Sequence, residues 1–260
     1  MNATRIVVSG ATGRMGSILG ALVREAEGAE LVGGIAPAGE ADGYPRVEPV
    51  GSCAPLLEDC DVVIDFSAPE QLRGLVETHA ETLAGRALVV GTTGMGAAEH
   101  ERLDGLAERA AVLVAANFSV GVNLLLGLAE RAARALPGDR FDVEIVEAHH
   151  RRKADAPSGT ALALGKAVAR GREVALEEVR RDGRTGGTGE RPRGEIAFHA
   201  LRGGDIVGEH RVHLIGASER IELAHAASDR AVFAEGALHA ALWLAGRDPG
   251  HYTMADVLGL

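Results

Sequence analysis

The feature that most limits this chain is the rhythm of its first 117 residues, where short apolar runs alternate with segments of helical period. Residues 5–9 read as a buried strand, and 14–26 as a helix with Met15, Ile18, Leu19, Leu22 and Val23 on one face. The same spacing predicts strands over 29–35, 62–66, 87–90 and 112–115, with helices over 72–83 and 97–109. Repeated strand–helix units give a parallel sheet, because a parallel neighbour needs a crossover to carry the chain back, and that crossover is right-handed. Such strands are covered on both faces. The composition agrees: 46% of residues are apolar but only 3% aromatic, so Ala, Val and Leu must build the core.

After Asn117 the rhythm changes. A long apolar helix is expected over 122–136, a strand over 141–148 and a helix over 161–170. Residues 180–194 are polar and rich in glycine, and read as a mobile loop. Strand patterns over 195–201, 206–214 and 219–226, joined by short turns, predict an antiparallel sheet. A helix over 230–245 follows. The expected fold class is therefore α/β: a doubly wound parallel sheet plus a second α+β domain with a mostly antiparallel sheet. The expected division is 1–119 with 230–260 for the first domain and 120–229 for the second, the last helix returning to cover the first.

Gly10-Ala11-Thr12-Gly13-Arg14-Met15-Gly16 joins the first strand to the first helix. Gly10 permits the tight turn, Gly13 lets a diphosphate approach the backbone, and Gly16 suits close helix–strand packing, the Rossmann-like arrangement for a dinucleotide. The helix start offers free N–H groups to phosphate, and Arg14 adds a cation. Gly91-Thr92-Thr93-Gly94, Ala115-Ala116-Asn117-Phe118-Ser119 and Asp65-Phe66-Ser67 follow other strands at the same carboxyl edge, where ligands of open α/β sheets bind. The second strand ends Gly33-Gly34-Ile35-Ala36-Pro37-Ala38, with neither the acid that would hold a ribose nor an arginine for a 2′-phosphate. Glu40 and Asp42, just beyond, read as solvated loop residues. NADH and NADPH both stay open.

The segment 147–161, Glu147-Ala-His149-His150-Arg151-Arg152-Lys153-Ala-Asp155-Ala-Pro157-Ser158-Gly159-Thr160-Ala161, leaves a strand and enters a helix. Pro157 suits a first helical turn, and Ser158, Gly159 and Thr160 place hydroxyls and amides at a helix start, a seat for a carboxylate. Just upstream stand two histidines and three cations. A histidine suits proton donation, and a lysine favours an anionic partner, at about 4 kcal/mol for a pair 4 Å apart in an effective dielectric near 20. A metal pair and a merely solvated charge run are the alternatives, and no acid or cysteine completes a zinc set by spacing.

The formal net charge of −10 argues against a nucleic-acid partner, while the cations cluster in mid-chain at Arg151, Arg152, Lys153, Arg180, Arg181, Arg184, Arg191 and Arg193. Cys53 and Cys60, the only cysteines, flank a short helix-like stretch and imply neither a disulfide framework nor a metal site. The apolar run at the start of the chain is too short for a membrane span or signal peptide, so a cytoplasmic protein is expected.

With these residues in view the chain resembles the 4-hydroxy-tetrahydrodipicolinate reductases, also called dihydrodipicolinate reductases. The likeness spans the glycine loop, Gly91–Gly94, 115–123, the segment 149–160, Gly203-Gly-Asp-Ile-Val-Gly-Glu-His210, Ala241-Leu-Trp-Leu244 and Asp256-Val-Leu258. The resemblance implies reduction of a cyclic imine dicarboxylate with NADH or NADPH in diaminopimelate and lysine synthesis. It implies His149 as acid/base and Lys153 as proton donor, with His150, Ser158, Gly159 and Thr160 on the substrate. Gly10, Ala11, Thr12, Gly13, Arg14, Met15, Gly91, Thr92, Thr93, Ala115, Ala116, Asn117 and Phe118 would meet the cofactor. It implies a homotetramer built through the second domain's sheet, and no metal, nucleic acid or membrane. Pro37-Ala38 stands where the family carries an acid–arginine pair. A different amino-acid or keto-acid reductase would share the glycine loop without the segment 149–160, and a cofactor-binding sensor would need neither His149 nor Lys153.

Overall fold

The structure, a computed structural model, describes residues 3–37 and 40–260; Ala38 of the expected cofactor-choice segment lies outside the described residues. The elements run β1 (Thr4–Ser9), α1 (Arg14–Glu25), β2 (Ala29–Ile35), β3 (Val47–Glu48), α2 (Ala54–Glu58), β4 (Val62–Asp65), α3 (Pro69–Leu83), β5 (Ala87–Val90), α4 (Ala97–Ala107) and β6 (Ala111–Val114). They continue with α5 (Val120–Ala135), β7 (Asp142–His149), α6 (Gly159–Gly171), α7 (Leu176–Val179), β8 (Arg180–Asp182), β9 (Ile196–Arg202), β10 (Gly208–Ile215) and β11 (Arg220–Ala227). Last come α8 (Ala231–Leu244), β12 (Gly250–Tyr252) and α9 (Met254–Leu258). Contacts divide the chain into Met1–Val120 with Ala231–Gly259, and Gly121–Arg230 with Leu260.

The first unit holds seven parallel strands in the order β12-β6-β5-β4-β1-β2-β3. Side chains alternate across a strand, so one sheet feeds two cores. Ile6, Val8, Val62, Ile64, Val89 and Leu113 pack on one face against Leu19 and Val23 of α1 and Ala237, Ala241 and Leu244 of α8. Val7, Val63, Leu88, Val90 and Val112 meet Leu56, Leu72, Leu75, Leu103 and Leu106 on the other. Both clusters are almost wholly withdrawn from water, at roughly 25 cal/mol per Å² of apolar surface. The strand order reverses beside β1, where β2 lies on one side and β4 on the other. Short β3 and β12 carry no periodic pattern that the sequence could show, while α2 is the helix-like stretch expected between Cys53 and Cys60.

The second unit carries the expected mostly antiparallel sheet, but its last three strands do not lie side by side in chain order. Its sheet runs β11-β10-β7-β9-β8, and β7 is inserted between β9 and β10, which follow each other in the chain but do not pair. The antiparallel ladders of β7 and β11 with β10, seven and eight residue pairs, still outweigh the parallel ones of β7 and β8 with β9, seven and three. Alternation fixes which face a residue takes but says nothing of neighbours, so consecutive strands read as a meander. Val143, Ile145, Ile196, Phe198, Val212 and Leu214 line the face covered by α5 and α6.

The stretch 180–194 also differs from a free loop. It opens as β8, paired parallel to β9. Arg184 then bonds Glu144 (2.9 Å) and Glu195, and Arg191 holds Asp142 (2.6 Å), Glu144 (2.8 Å) and the carbonyls of Val143 and Glu195 (3.0 and 2.7 Å). His199 shares Glu144 at 2.6 Å. The glycines made this segment look unattached, but Arg184 and Arg191 reach acids on β7 that are distant in sequence and invisible to local pattern.

Candidate active site

In the first unit the ends of β1, β4, β5 and β6 lie along one sheet edge. Gly10 sits at φ +84°, and a Cβ there would lie 2.5 Å from the Phe66 carbonyl oxygen. The N–H groups of Gly10 and Ala11 both donate to the Ile35 carbonyl, at 2.9 and 3.2 Å, tying the loop to β2. Helix α1 begins after Gly13 with no side-chain cap, so its first-turn amides keep their donors for an anion. A Cβ at Gly16 would overlap the Gly10 carbonyl, so that glycine closes the loop upon itself rather than seating the helix on a strand. The Tyr44 hydroxyl donates to the Gly16 carbonyl at 2.6 Å, and burial pushes its pKa upward. This cradle, an uncapped helix start beneath a glycine turn, fits a dinucleotide diphosphate.

Thr12, Gly13, Arg14 and Thr93 are exposed at this edge, whereas Ala11, Thr92 and Phe118 are buried. The Thr92 hydroxyl is spent inside the protein: it donates to Asp65 Oδ1 at 2.6 Å and accepts from the Ser67 N–H at 2.9 Å. Ser67 Oγ adds a bond to Asp65 Oδ2 at 2.7 Å. Burial pushes the Asp65 carboxyl pKa up, against those hydroxyl bonds. Phe118 packs on Phe66 with ring centroids 5.5 Å apart, and Asn117 Oδ1 accepts from the Ser119 N–H at 2.9 Å. Backbone, more than side chains, is what Ala11, Thr92 and Phe118 can offer a ligand. Past the end of β2, Glu40, Asp42 and Arg46 line one cavity.

In the second unit the expected segment folds around a carboxylate. His149 ends β7, and its Nδ1 lies 2.6 Å from Glu147 Oε2. Glu147 Oε1 accepts from the Ser158 N–H at 3.0 Å, which brings the start of α6 to the same acid. Arg202, at the end of β9, closes a fork on both oxygens at 2.7 Å. Burial alone would raise the Glu147 pKa, but the bonds from Arg202 and His149 outweigh it and hold the carboxyl below its usual range. The acid is ionised.

Ser158 is the N-cap of α6, its Oγ accepting from the Ala161 N–H at 3.2 Å. Pro157 therefore precedes the cap instead of occupying the first turn. Ser158 Oγ also meets His210 Nε2 at 3.1 Å, and the His149 and His210 rings stand edge to face, 5.2 Å between centroids. Burial lowers the His210 pKa to about 4. The main chain folds tightly here, with the Lys153 N–H on the His150 carbonyl at 3.1 Å and Gly203 N–H on the His149 carbonyl at 3.0 Å. Lys153 Nζ rests on Asp155 Oδ1 at 2.8 Å, an acid more than half exposed to water. Burial, then Arg152 and Arg230, push the His150 pKa down; Arg230 Nη2 lies 3.5 Å from its Nε2, and its buried Nδ1 lacks a partner among the described residues. Gly159 is exposed at the helix start.

Sequence reasoning gave no role to Glu147, Arg202 or His210. Glu147 stood inside the quoted segment and Arg202 beside the Gly203–His210 stretch, so the signal was adjacency to both motifs. Among the described residues no cluster of three or more His, Cys, Asp or Glu is arranged to hold a metal, and no helix is long and apolar enough to cross a membrane.

Comparison with known proteins assigns the chain. "Dihydrodipicolinate reductase, N-terminus" matches residues 4–118 and "Dihydrodipicolinate reductase, C-terminus" matches 121–258. A 4-hydroxy-tetrahydrodipicolinate reductase of Alkalilimnicola ehrlichii is 52% identical over 99% of both chains. One from Methylocella silvestris is 48% identical over 100% of this chain and 98% of its own. Among solved structures, a dipicolinate-bound dihydrodipicolinate reductase from Paenisporosarcina sp. TG-14 shares the fold at TM-score 0.77 with 23% identity, covering 98% of each chain. The C. glutamicum DAP dehydrogenase in complex with DAP, at TM-score 0.58 and 13% identity over 98% of this chain and 93% of its own, shares the fold alone. With a relative more than half identical along its whole length, the chain belongs to the dihydrodipicolinate reductase family.

Proposed function

We propose that this protein reduces the cyclic imine derived from 4-hydroxy-tetrahydrodipicolinate to tetrahydrodipicolinate, with NADH or NADPH, in diaminopimelate and lysine synthesis. The observation that carries this reading is the joining of His149 and the start of α6 on one buried carboxylate, which sets a proton donor beside an amide-lined anion seat. The cofactor, when bound, supplies the hydride to the imine carbon. Its diphosphate would rest on Gly10–Met15, with the edges at Gly91–Thr93 and 115–118 along the rest. The substrate carboxylates take the amides of Gly159 and Thr160, and Lys153 exchanges Asp155 for one of them. As negative charge develops on the imine nitrogen, His149 or Lys153 delivers the proton. His150, held toward its neutral form, gives a hydrogen bond rather than a charge.

Residues 1–119 with 230–260 are the nucleotide-binding domain in this reading, and 120–229 bind substrate and assemble a cytoplasmic homotetramer. His149→Gln lowers turnover by roughly 10²–10⁴ while cofactor affinity hardly changes, as follows from loss of a general acid. The measurement is loss of reduced-nicotinamide absorbance with substrate generated by the preceding synthase. Near-normal turnover in that variant removes His149 from the reaction. Side-by-side titration of NADH and NADPH settles the preference.

A further inference from the structure

The reaction scheme leaves one buried, charged group without a task. Glu147 is 1% exposed, and each of its oxygens accepts two bonds: His149 Nδ1 and Arg202 Nη1 on Oε2, the Ser158 N–H and Arg202 Nη2 on Oε1. These donors come from the end of β7, the end of β9 and the cap of α6. A half-satisfied carboxylate so deep would be costly, and this one is fully satisfied.

We infer that Glu147 is the positioning residue of the proton donor: it holds His149 as the Nδ1–H tautomer, so that Nε2 is the atom that exchanges the reacting proton. The inference rests on the reading of His149 given above. An ionised carboxylate only accepts, so a ring nitrogen 2.6 Å away must present a hydrogen to it. The opposite tautomer would face lone pair to lone pair. The step also closes on itself. Protonated His149 gives its Nε2 hydrogen to the imine nitrogen as hydride reaches the carbon, and the neutral ring that remains is the Nδ1–H tautomer that Glu147 stabilises. Water then returns a proton to Nε2.

The surroundings agree. Gly208 leaves the Nε2 side open, since a Cβ there would lie 3.1 Å from that nitrogen. The edge-on His210 ring, whose pKa burial lowers to about 4, adds no charge to the pair near neutral pH. Arg202 pairs with the carboxylate in two places, which leaves its oxygen toward His149 oriented rather than free to swing. Because Glu147 also holds the Ser158 N–H, one side chain fixes the donor and the anion seat to a common point.

The test reads the tautomer directly. Protein labelled with ¹⁵N-histidine is studied by long-range ¹H–¹⁵N correlation at about pH 8.5, above the ordinary imidazole pKa. His149 is assigned as the signal missing from His149→Gln. The expected pattern is a protonated Nδ1 and an unprotonated Nε2; an Nε2–H tautomer, or an even mixture, overturns the inference. Glu147→Gln is expected to blur that pattern and to lower kcat at least about 10-fold, and up to ~10⁴-fold if the wrong tautomer dominates, with cofactor KM unchanged. Wild-type kcat with an unchanged tautomer in that variant also overturns it. If Glu147→Gln does not fold, the wild-type spectrum decides. Normal turnover by His149→Gln would instead remove His149 from the reaction, the reading on which the inference rests, while the tautomer stays measurable, so the two failures are separate.

Discussion

Gly236 lies in α8, and a Cβ at that position would overlap the carbonyl oxygen of Phe118, at the end of a segment proposed to meet the cofactor. Gly236→Ala therefore forces α8 and the 115–118 loop apart by about 1 Å or more to restore ordinary contact. Overpacking costs about 1–3 kcal/mol, and main chain yields less readily than a side-chain tip, so the upper half of that range applies. Against it stands a gain of about 1 kcal/mol from replacing a helical glycine. The net loss is about 1–2 kcal/mol, or roughly 2–8 °C in Tm for a chain of this size. Gly105 supplies the control. It lies in α4, is exposed, and a Cβ there meets nothing within 4 Å, so Gly105→Ala is stabilising by about 0.5–1 kcal/mol. Thermal melts followed by circular dichroism, with cofactor Kd from fluorescence, read both. A Gly236→Ala protein that melts at or above the wild-type temperature, with unchanged Kd, refutes the packing argument.

Three further outcomes are expected. His210 binds its proton less readily folded, at about 4, than unfolded, at about 6.5, so its contribution to stability is full above pH 6.5 and is lost as pH falls toward 4. The loss is about 3 kcal/mol, and His210→Asn should flatten the change in urea midpoint between pH 7 and 5 relative to wild type; parallel curves would refute this. Arg191→Ala should speed amide exchange across 183–194 while β10 and β11 stay protected, and equal protection of that stretch would show that Arg191 is not its anchor. Burial raises the Cys53 and Cys60 thiols to about 11 and 12, so Ellman's reagent should find neither in the folded protein and both in guanidinium.

The centre of the first sheet was legible because its longer strands and helices write their own period: the apolar stripe of 14–26 is α1, and the buried run 87–90 is β5. The gaps have a common cause. The insertion of β7 between β9 and β10, the arginine anchors of 180–194, and the parallel edge strand β12 all depend on partners remote in sequence. The same limit applies to the site. His149, Lys153 and Ser158–Thr160 stood together in one segment and resembled a family pattern. Arg202 lies 55 residues from Glu147, so their shared fork had no local sign. Thr92 shows the converse, for a threonine in a loop looks ready for a ligand, yet its hydroxyl serves Asp65.

Helix α8 covers and strand β12 extends the sheet that begins at β1, although the residues of the second unit are translated before either of them. Once residue 230 has been made every strand of the second sheet exists, but the face bearing Val8, Ile64 and Val89 has only α1 and still lacks the part of its cover that α8 supplies. The inserted half can therefore mature first, and the half that starts the chain waits with apolar surface bare. During synthesis that surface is the natural place for a chaperone to hold, and the place where a truncated product would aggregate.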